Sequence, residues 1–391
     1  MSIPPFSFQQ AARGSFGVNR IDKLADDVAG IAGAGAPVLL VADPGLPQLA
    51  DRVAAILSKA GCKVAVCTDV RSDPLGSQVD GAAERARSAG ARCVIGVGGG
   101  STMDVSKFAA AIAGARQPAD HFELAKNPLP TDGLPVICVP TTAGTGSETT
   151  RVSVFSNAKG EKVWAWGDPL RASLALLDPQ LTVGLPPHLT AATGVDALVH
   201  AIEACTIRRA NPLNDAVCLH AIRLVVGNLQ RAVEAPDDLD ARGNMQIAAA
   251  AAGIAIDSAG TGIAHAMGHA LGVIGHVHHG RAVGLCLRAA IAWNAEVSPA
   301  RHAAVAAAMG VPTEGRTQAA VVADLAPQFD RFVRSVGLAV SLASDGLGPS
   351  DAKRLAIATM APENQAMRDS NIREIALADA ERIAGIVLSA A

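Results

Sequence analysis

Val94-Ile-Gly-Val-Gly-Gly-Gly-Ser-Thr-Met-Asp-Val-Ser-Lys107 joins an apolar run to a glycine turn and a polar segment. Residues 93–97 predict a buried strand, and the stretch from Thr102 onward predicts a helix. The glycines let the backbone approach a ligand, and Ser101 or Thr102 can cap the helix, whose free N–H groups attract anions. The turn is neither a Walker loop nor a spaced GxGxxG, so an unliganded strand-to-helix turn stays equally open. Its three glycines are Gly98, Gly99 and Gly100.

Short apolar runs also lie on both sides of this turn, at residues 38–41, 64–67 and 136–139. Ala-rich helical stretches of 10 to 15 residues separate them. Strands alternating with helices of this length predict a doubly wound, Rossmann-like parallel sheet. Residues 152–155 and 163–166 flank a polar turn and predict a β-hairpin.

The pattern changes after Leu185-Pro-Pro187, where Ala-rich helical segments replace the strands. A chain of 391 residues is also long for a single hydrophobic core. We therefore expect an α/β dinucleotide-binding domain over residues 1–187 and an all-helical metal-binding domain over residues 188–391. The active site is expected in the cleft between them.

Composition excludes several classes of protein. A formal charge of −3 gives no basic surface for nucleic acid, and no apolar run is long enough to span a membrane. The start shows no export signal, and the seven cysteines form no CxxC pair, which indicates the cytoplasm. The chain has no tyrosine, which excludes a Tyr–Lys type of hydride-transfer site.

A second polar loop, Pro140-Thr-Thr-Ala-Gly-Thr-Gly-Ser-Glu-Thr-Thr150, follows the fourth strand. Its hydroxyls and glycines suit hydrogen bonds to phosphate and ribose at the carboxyl end of the sheet, where ligands bind. Asp43 ends an earlier strand, where its carboxylate can bind an adenosine ribose and repel a 2′-phosphate, which favours NAD over NADP. A solvated turn residue before Pro44 explains Asp43 equally well.

Five of the ten histidines lie within fifteen residues, and Asp196 stands four residues before His200. Residues four apart on a helix share one face. Imidazole and carboxylate suit a divalent transition metal, so we expect an ion held by Asp196, His200 and two of the clustered histidines. The five clustered histidines are His265, His269, His276, His278 and His279.

Together these motifs resemble the iron-containing (group III) alcohol dehydrogenases. The resemblance rests on GGGSxxDxxK (98–107), TTxGTGSExT (141–150), Asp178-Pro179, GxDAxxHAxE (194–203) and HxxxHxLGxxxxxxHG (265–280). It implies a dehydroquinate-synthase-like architecture and a metal-dependent NAD(P) oxidoreductase that interconverts a primary or secondary alcohol, or a hydroxy acid, with its aldehyde or ketone. It implies Fe²⁺ as the ion, with Zn²⁺ as the alternative, and a homodimer. The β-hairpin or an N-terminal strand could pair across a two-fold axis of such a dimer.

The resemblance also implies roles for individual residues. Asp196, His200, His265 and His279 would be the metal ligands, and His269 would be a catalytic residue that relays a proton. Asp43 would lie near the adenosine ribose. The dinucleotide site would be lined by Gly98, Gly99, Gly100, Ser101, Thr102, Thr141, Thr142, Thr145 and Lys162.

Departures from the family pattern leave the substrate open. His276 and His278 have no role in that pattern, and we interpret both as loop residues. Arg281 and Arg288 could bind an anionic substrate, but surface ion pairs are the simpler interpretation. Asp104 and Lys107 could form an ordinary surface pair on the helix. Two other functions remain: a lyase that uses NAD transiently, and a non-catalytic metal or nucleotide binder.

Overall fold

The computed structural model describes residues 6–8 and 12–389. The chain folds into two compact units, and the division between them lies between Gly184 and Leu185. We call residues 12–184 the N-terminal unit and residues 185–389 the C-terminal unit.

The N-terminal unit is built on a six-stranded, fully parallel sheet. The strands are β1 (Arg13–Phe16), β2 (Val38–Ala42), β3 (Val64–Cys67), β4 (Cys93–Gly98), β5 (Val136–Pro140) and β8 (Leu174–Leu177), in the spatial order β1-β8-β5-β4-β2-β3. The helices of this unit are α1 (Leu24–Ala32), α2 (Pro47–Lys59), α3 (Gly76–Ser88) and α4 (Gly100–Ala111). The doubly wound fold predicted from the sequence is confirmed.

Side chains of one strand alternate between two cores, which shows that both faces of the sheet are covered. Val38 and Leu40 of β2 pack in one core with α1 and α2, whereas Leu39 and Val41 pack in the other with α3 and α4. A parallel strand buried on both faces is a continuous apolar run, and this is why β2, β4 and β5 are visible in the sequence.

The predicted hairpin is present as the antiparallel pair β6 (Val152–Ser156) and β7 (Lys162–Trp166). Strand β8 is not predicted from the sequence, because Leu-Ala-Leu-Leu does not distinguish a strand from a helix. The helix after the glycine turn also begins earlier than expected, at Gly100 rather than Thr102.

The C-terminal unit contains helices and no strand among its described residues. Its central helix is α5, in which residues 190–206 are all buried. Within residues 185–389 the helices are α5 (Pro187–Thr206), α6 (Pro212–Glu234), α7 (Leu239–Ala259), α8 (Ile263–Gly275), α9 (His279–Ala295), α10 (Pro299–Ala308), α11 (Gln318–Ala323), α12 (Leu325–Ser335), α13 (Ala352–Thr359), α14 (Gln365–Ser370) and α15 (Leu377–Leu388).

No single helix of the described chain is both long and apolar enough to cross a bilayer. Only α7 and α8 taken together have the length and composition, and the two are bent by 106° relative to each other.

Candidate active site

Three helices of the C-terminal unit supply the four side chains expected to bind metal. Asp196 and His200 lie one turn apart on α5, His265 lies in the first turn of α8, and His279 is the first residue of α9. One potential ligand atom from each of the four lies within 4.8 Å of the other three. The structure therefore brings the whole predicted set to one point.

The spacing of these atoms fits a shared cation. Asp196 Oδ1 lies 3.7 Å from His200 Nε2, 3.8 Å from His265 Nε2 and 3.6 Å from His279 Nε2. Such separations are too long for hydrogen bonds and close to those of atoms that each stand about 2.1 Å from one ion. Asp196 Oδ1 and His265 Nε2 are also buried and have no hydrogen-bond partner among the described residues, an unfavourable state that a bound cation would relieve.

The electrostatics of the cluster also favour a positive charge. Burial acts to raise the pKa of Asp196, but the imidazoles of His200, His279 and His265 outweigh it, and the pKa lies below its ordinary value. Burial acts to lower the pKa of His265, whereas the carboxylates of Glu203 and Asp196 raise it to about 9. A divalent cation would satisfy the same carboxylates in place of the proton.

His269 lies beside the cluster without belonging to it. Its ring centroid is 5.3 Å from that of His279 and 6.4 Å from that of His265, and the side chain is partly exposed. This position one turn beyond His265 is where the sequence analysis expected a proton-relaying residue.

His276 and His278 form the connection between α8 and α9. Helix α8 runs through Gly272 to Gly275, and the residue in the left-handed region is His276, with φ of 51°. His276 and His278 are both exposed and stand outside the four-residue cluster. The structure therefore assigns a conformational role to His276, which the sequence pattern did not reveal.

Glu203 is a functional candidate that the sequence analysis did not single out. Its carboxylate lies on α5, is 3 % exposed, and has Oε2 2.6 Å from His265 Nδ1. The available signal was its position at the end of the GxDAxxHAxE motif, seven residues and therefore two helical turns after Asp196.

In the N-terminal unit, the glycine turn and the threonine loop lie against each other. The Thr141 N–H donates to the Gly98 carbonyl at 2.9 Å. A Cβ atom added to Gly99 would lie 3.5 Å from Thr142 Cγ2, and one added to Gly100 would lie only 2.7 Å from Thr145 Cγ2. Glycine is thus required at position 100 for the close approach of the two loops.

These loops form a surface suited to an anion. Helix α4 begins at Gly100 after the N-cap residue Gly99, and no side chain caps it, so the expected cap by Ser101 or Thr102 is absent. The buried Thr142 Oγ1 has no hydrogen-bond partner in the described chain. An uncapped helix N-terminus beside a buried hydroxyl group can bind a pyrophosphate.

Asp43 and Lys162, the other two residues expected to bind the dinucleotide, lie apart from each other in the N-terminal unit. A Cβ on Gly98 would be 3.0 Å from Asp43 Cβ, which places Asp43 beside the turn, and Asp43 Oδ1 also accepts the Gly45 N–H. Lys162 lies on β7, with its ammonium group 2.6 Å from the carboxylate of Asp73. The structure therefore joins Asp43 to the glycine turn and pairs Lys162 with another residue.

Asp104 and Lys107 are buried, so the interpretation as a surface pair is wrong. Lys107 is fully buried, and its ammonium donates to the carbonyls of Ser147, Thr150 and Val152. Asp104 accepts the Ser147 hydroxyl at 2.6 Å and the Val154 N–H at 3.1 Å. Through this pair α4 fixes the threonine loop and β6 together.

Arg281 and Arg288 both form ion pairs, as the simpler interpretation held. Arg281 Nη1 lies 3.0 Å from both carboxylate oxygens of Asp345, and its Nε donates to the Ala339 carbonyl at 2.7 Å. Arg288 is paired with Asp330. Both guanidinium groups thus tie helix α9 to other parts of the C-terminal unit.

Dinucleotide-type loops in one unit and a buried donor set of three imidazoles and one carboxylate in the other place the chain among the metal-dependent dehydrogenases. The family profile described as iron-containing alcohol dehydrogenase matches residues 11–179, and that of the C-terminal part of the Fe-containing alcohol dehydrogenase family matches residues 190–388. The chain belongs to the iron-containing alcohol dehydrogenase family.

Individual relatives agree with this assignment. A choline dehydrogenase of Bacillus subtilis is 37 % identical over 306 residues, 77 % of this chain and 76 % of the relative. A crystal structure of 1,3-propanediol oxidoreductase superposes with a TM-score of 0.91 at 30 % identity, over 98 % of this chain and 100 % of that one. A sulfoacetaldehyde reductase of Bifidobacterium kashiwanohense, solved in complex with NAD⁺, superposes with a TM-score of 0.88 at 29 % identity, over 99 % of both chains.

The protein is therefore an NAD-dependent alcohol dehydrogenase that interconverts an alcohol and its aldehyde or ketone with the help of a metal ion.

Proposed function

We propose that Asp196, His200, His265 and His279 hold the catalytic divalent ion, and that Fe²⁺ is the ion that acts there. The observation that carries the proposal is the convergence of four buried or partly buried ligand atoms within 4.8 Å. Three imidazoles and one carboxylate leave a net positive charge around a divalent ion. When bound, the ion supplies Lewis-acid stabilisation of charge on the substrate oxygen, and the nicotinamide supplies the hydride chemistry.

The nucleotide is proposed to bind the N-terminal unit. Gly98, Gly99, Gly100, Ser101 and Thr102 would place backbone N–H groups of α4 around the pyrophosphate, and Thr141, Thr142 and Thr145 would add hydroxyl groups. Support comes from the uncapped N-terminus of α4 and the unpartnered Thr142 hydroxyl. Asp43 beside Gly98 would accept hydrogen bonds from the adenosine ribose, which favours NAD over NADP. Lys162 would join this site only if it exchanges Asp73 for the nucleotide.

His269 is proposed to move the proton that the alcohol loses. Its partly exposed imidazole, one turn from His265, can take up a proton and pass it to water. The proposed nucleotide residues belong to the N-terminal unit and the proposed ion residues to the C-terminal unit.

The substrate is proposed to be a small alcohol or aldehyde, without a commitment on its charge. The three relatives described above are named for choline, which is a cation, for neutral 1,3-propanediol, and for anionic sulfoacetaldehyde. Arg281 is already bound to Asp345, which argues against its recognising an anionic substrate. Initial rates with cationic, neutral and anionic alcohols of similar size would identify the preferred class.

We also propose that the protein is a cytoplasmic homodimer that binds neither nucleic acid nor membrane. All seven cysteines are free, which suits a reducing compartment, and the formal charge is −3. Analytical ultracentrifugation of the metal-loaded protein would give the oligomeric state.

The ligand set is tested by His265→Ala, with His220→Ala as the matched control. His220 is an exposed histidine on α6 of the same unit. After anaerobic purification, the His265→Ala variant should lose metal content and turnover while keeping its circular dichroism, and the control should match wild type. Unchanged metal content in His265→Ala would remove His265 from the proposed set. Retained binding of ion and NAD without turnover on a broad alcohol panel would instead favour a non-catalytic binder.

A further inference from the structure

Glu203 is a buried carboxylate that the proposed reaction does not use. It lies on α5, three residues after His200, and only 3 % of its surface is exposed. Burying a carboxylate is unfavourable unless hydrogen-bond donors surround it. The donors that contact Glu203 therefore indicate its role.

Three donors from one short segment meet this carboxylate. Oε1 accepts the Ala264 N–H at 2.7 Å, and Oε2 accepts the Gly262 N–H at 2.9 Å. Oε2 also lies 2.6 Å from His265 Nδ1. An ionised carboxylate only accepts hydrogen bonds, so Nδ1 of His265 must carry the proton in this contact.

The proton on Nδ1 determines what the other ring nitrogen can do. In a neutral imidazole with a protonated Nδ1, Nε2 carries the lone pair. Nε2 of His265 is the buried atom without a hydrogen-bond partner that lies 3.8 Å from Asp196 Oδ1. Glu203 therefore turns the lone pair of His265 toward the ligand cluster.

Glu203 also fixes the backbone that carries His265. Helix α8 has Gly262 as its N-cap residue, which offers no side chain, and Glu203 binds the first free N–H groups from the neighbouring helix α5. Asn371 Oδ1 accepts the Ile263 N–H at 3.3 Å and pairs with Asn294, so the same turn is held from a second side. Glu203 thus contacts both the imidazole of His265 and the backbone that carries it.

We propose that Glu203 is a positioning residue of the metal centre, which sets the tautomer and orientation of His265 and thereby the affinity for the ion. The proposal rests on the proposed function, because it takes His265 to be a ligand. A carboxylate behind a metal-binding histidine commonly contributes 10- to 100-fold in metal affinity.

The test is Glu203→Gln, which keeps the size of the side chain and removes its charge. A glutamine has one acceptor oxygen for three donors, and its NH₂ group placed at Nδ1 would force the His265 proton onto Nε2. We expect the dissociation constant of Zn²⁺, measured by chelator competition on the folded protein, to rise about 10- to 100-fold. The matched control is Asp238→Asn, the same change at the N-cap of α7 in the same unit, which should leave metal affinity unchanged.

Further outcomes separate the two proposals. A Glu203→Gln variant with wild-type metal affinity overturns the role of Glu203, and if His265→Ala loses the ion in the same assay, the ligand set stands. If His265→Ala also keeps wild-type affinity, the ligand set itself fails. If Glu203→Gln does not fold, NMR of the Zn²⁺-loaded wild type decides. A slowly exchanging, strongly hydrogen-bonded Nδ1–H of His265 supports the proposal, and a protonated Nε2 overturns it.

Discussion

Glu148 is a carboxyl group that the fold buries in the threonine loop, where it is 2 % exposed. Burial raises its pKa from 4.5 to about 7, against a smaller opposing effect of its own backbone N–H and of Lys107. The folded state therefore binds this proton more tightly than the unfolded state does. Its favourable contribution is complete below pH 4.5 and is lost as the pH rises through about 7.

We predict that Glu148→Gln becomes more stable relative to wild type as the pH rises from 4.5 to 8. The neutral amide places no charge in the buried site. The difference in the free energy of unfolding between the variant and wild type should therefore change by about 3 kcal/mol over this pH range. Urea unfolding at several pH values would measure it, with Glu161→Gln at an exposed position of the same unit as the control. If the difference in unfolding free energy between Glu148→Gln and wild type does not depend on pH, the folded protein does not raise the pKa of Glu148.

At the same scale, sequence predicts a shared helical face better than it predicts the surroundings of a residue. The spacing of Asp196 and His200 reflects one face of α5, a local property, whereas His265 and His279 meet them from two other helices. The spacing of Asp104 and Lys107 is the same for a surface pair and for a buried pair. Only the packing of the threonine loop and β6 over α4 buries the pair, and that packing depends on residues at least forty positions away.

Between elements, the close packing of α9 on α5 determines where His279 lies. A Cβ atom on Gly280 would stand 2.1 Å from the Ala192 carbonyl oxygen and 3.2 Å from Asp196 Cβ. Helix α9 could accept a side chain there only by moving away from α5, and His279 would move with it.

We predict that Gly280→Ala weakens metal binding and lowers the free energy of unfolding by about 1 to 3 kcal/mol, as expected for overpacking. The control is Gly385→Ala on α15, where an added Cβ meets nothing within 4 Å. That variant should gain roughly 0.5 to 1 kcal/mol from the higher helix propensity of alanine and keep wild-type metal affinity. If the two variants have the same free energy of unfolding and the same metal affinity, the contact between α9 and α5 can accommodate a Cβ atom at position 280.

The elements most visible in the sequence are those with a simple hydrophobic pattern. Strands β2 to β5 are short apolar runs separated from one another by helical stretches, and all four are predicted close to their observed bounds. In the C-terminal unit the hydrophobic pattern does not show where one helix ends and the next begins. Because residues 190–206 of α5 are all buried, that helix has no polar face to mark its period.

For the whole molecule, the proposed ion site links α5 to the consecutive helices α8 and α9, which begin more than fifty residues after α5 ends. An ion that binds only the folded state stabilises it by about 2.7 kcal/mol at a hundred times its dissociation constant. We predict that chelation speeds hydrogen exchange chiefly in these three helices, and that NAD slows it around residues 98–107 and 141–150. Mass spectrometry of the exchanged protein would measure both. Increases confined to the N-terminal unit after chelation would contradict the proposed ion site.

At the scale of the whole chain, the change of composition after Pro187 is what the sequence offers for predicting a domain boundary. Composition could not show that β1 joins the sheet at β8, because that pairing joins segments from opposite ends of the unit.

The pairing of β1 with β8 has a consequence for biosynthesis. In the sheet β1 has β8 as its single neighbour, and the Asn19 N–H following β1 donates to the Asp178 carboxylate across 159 residues. A ribosome that adds about 5 to 20 residues per second needs roughly 8 to 30 seconds to reach the partner strand. Throughout that interval the nascent chain exposes β1 without its hydrogen-bonding neighbour, and the parallel sheet is completed only after Asp178 has left the exit tunnel.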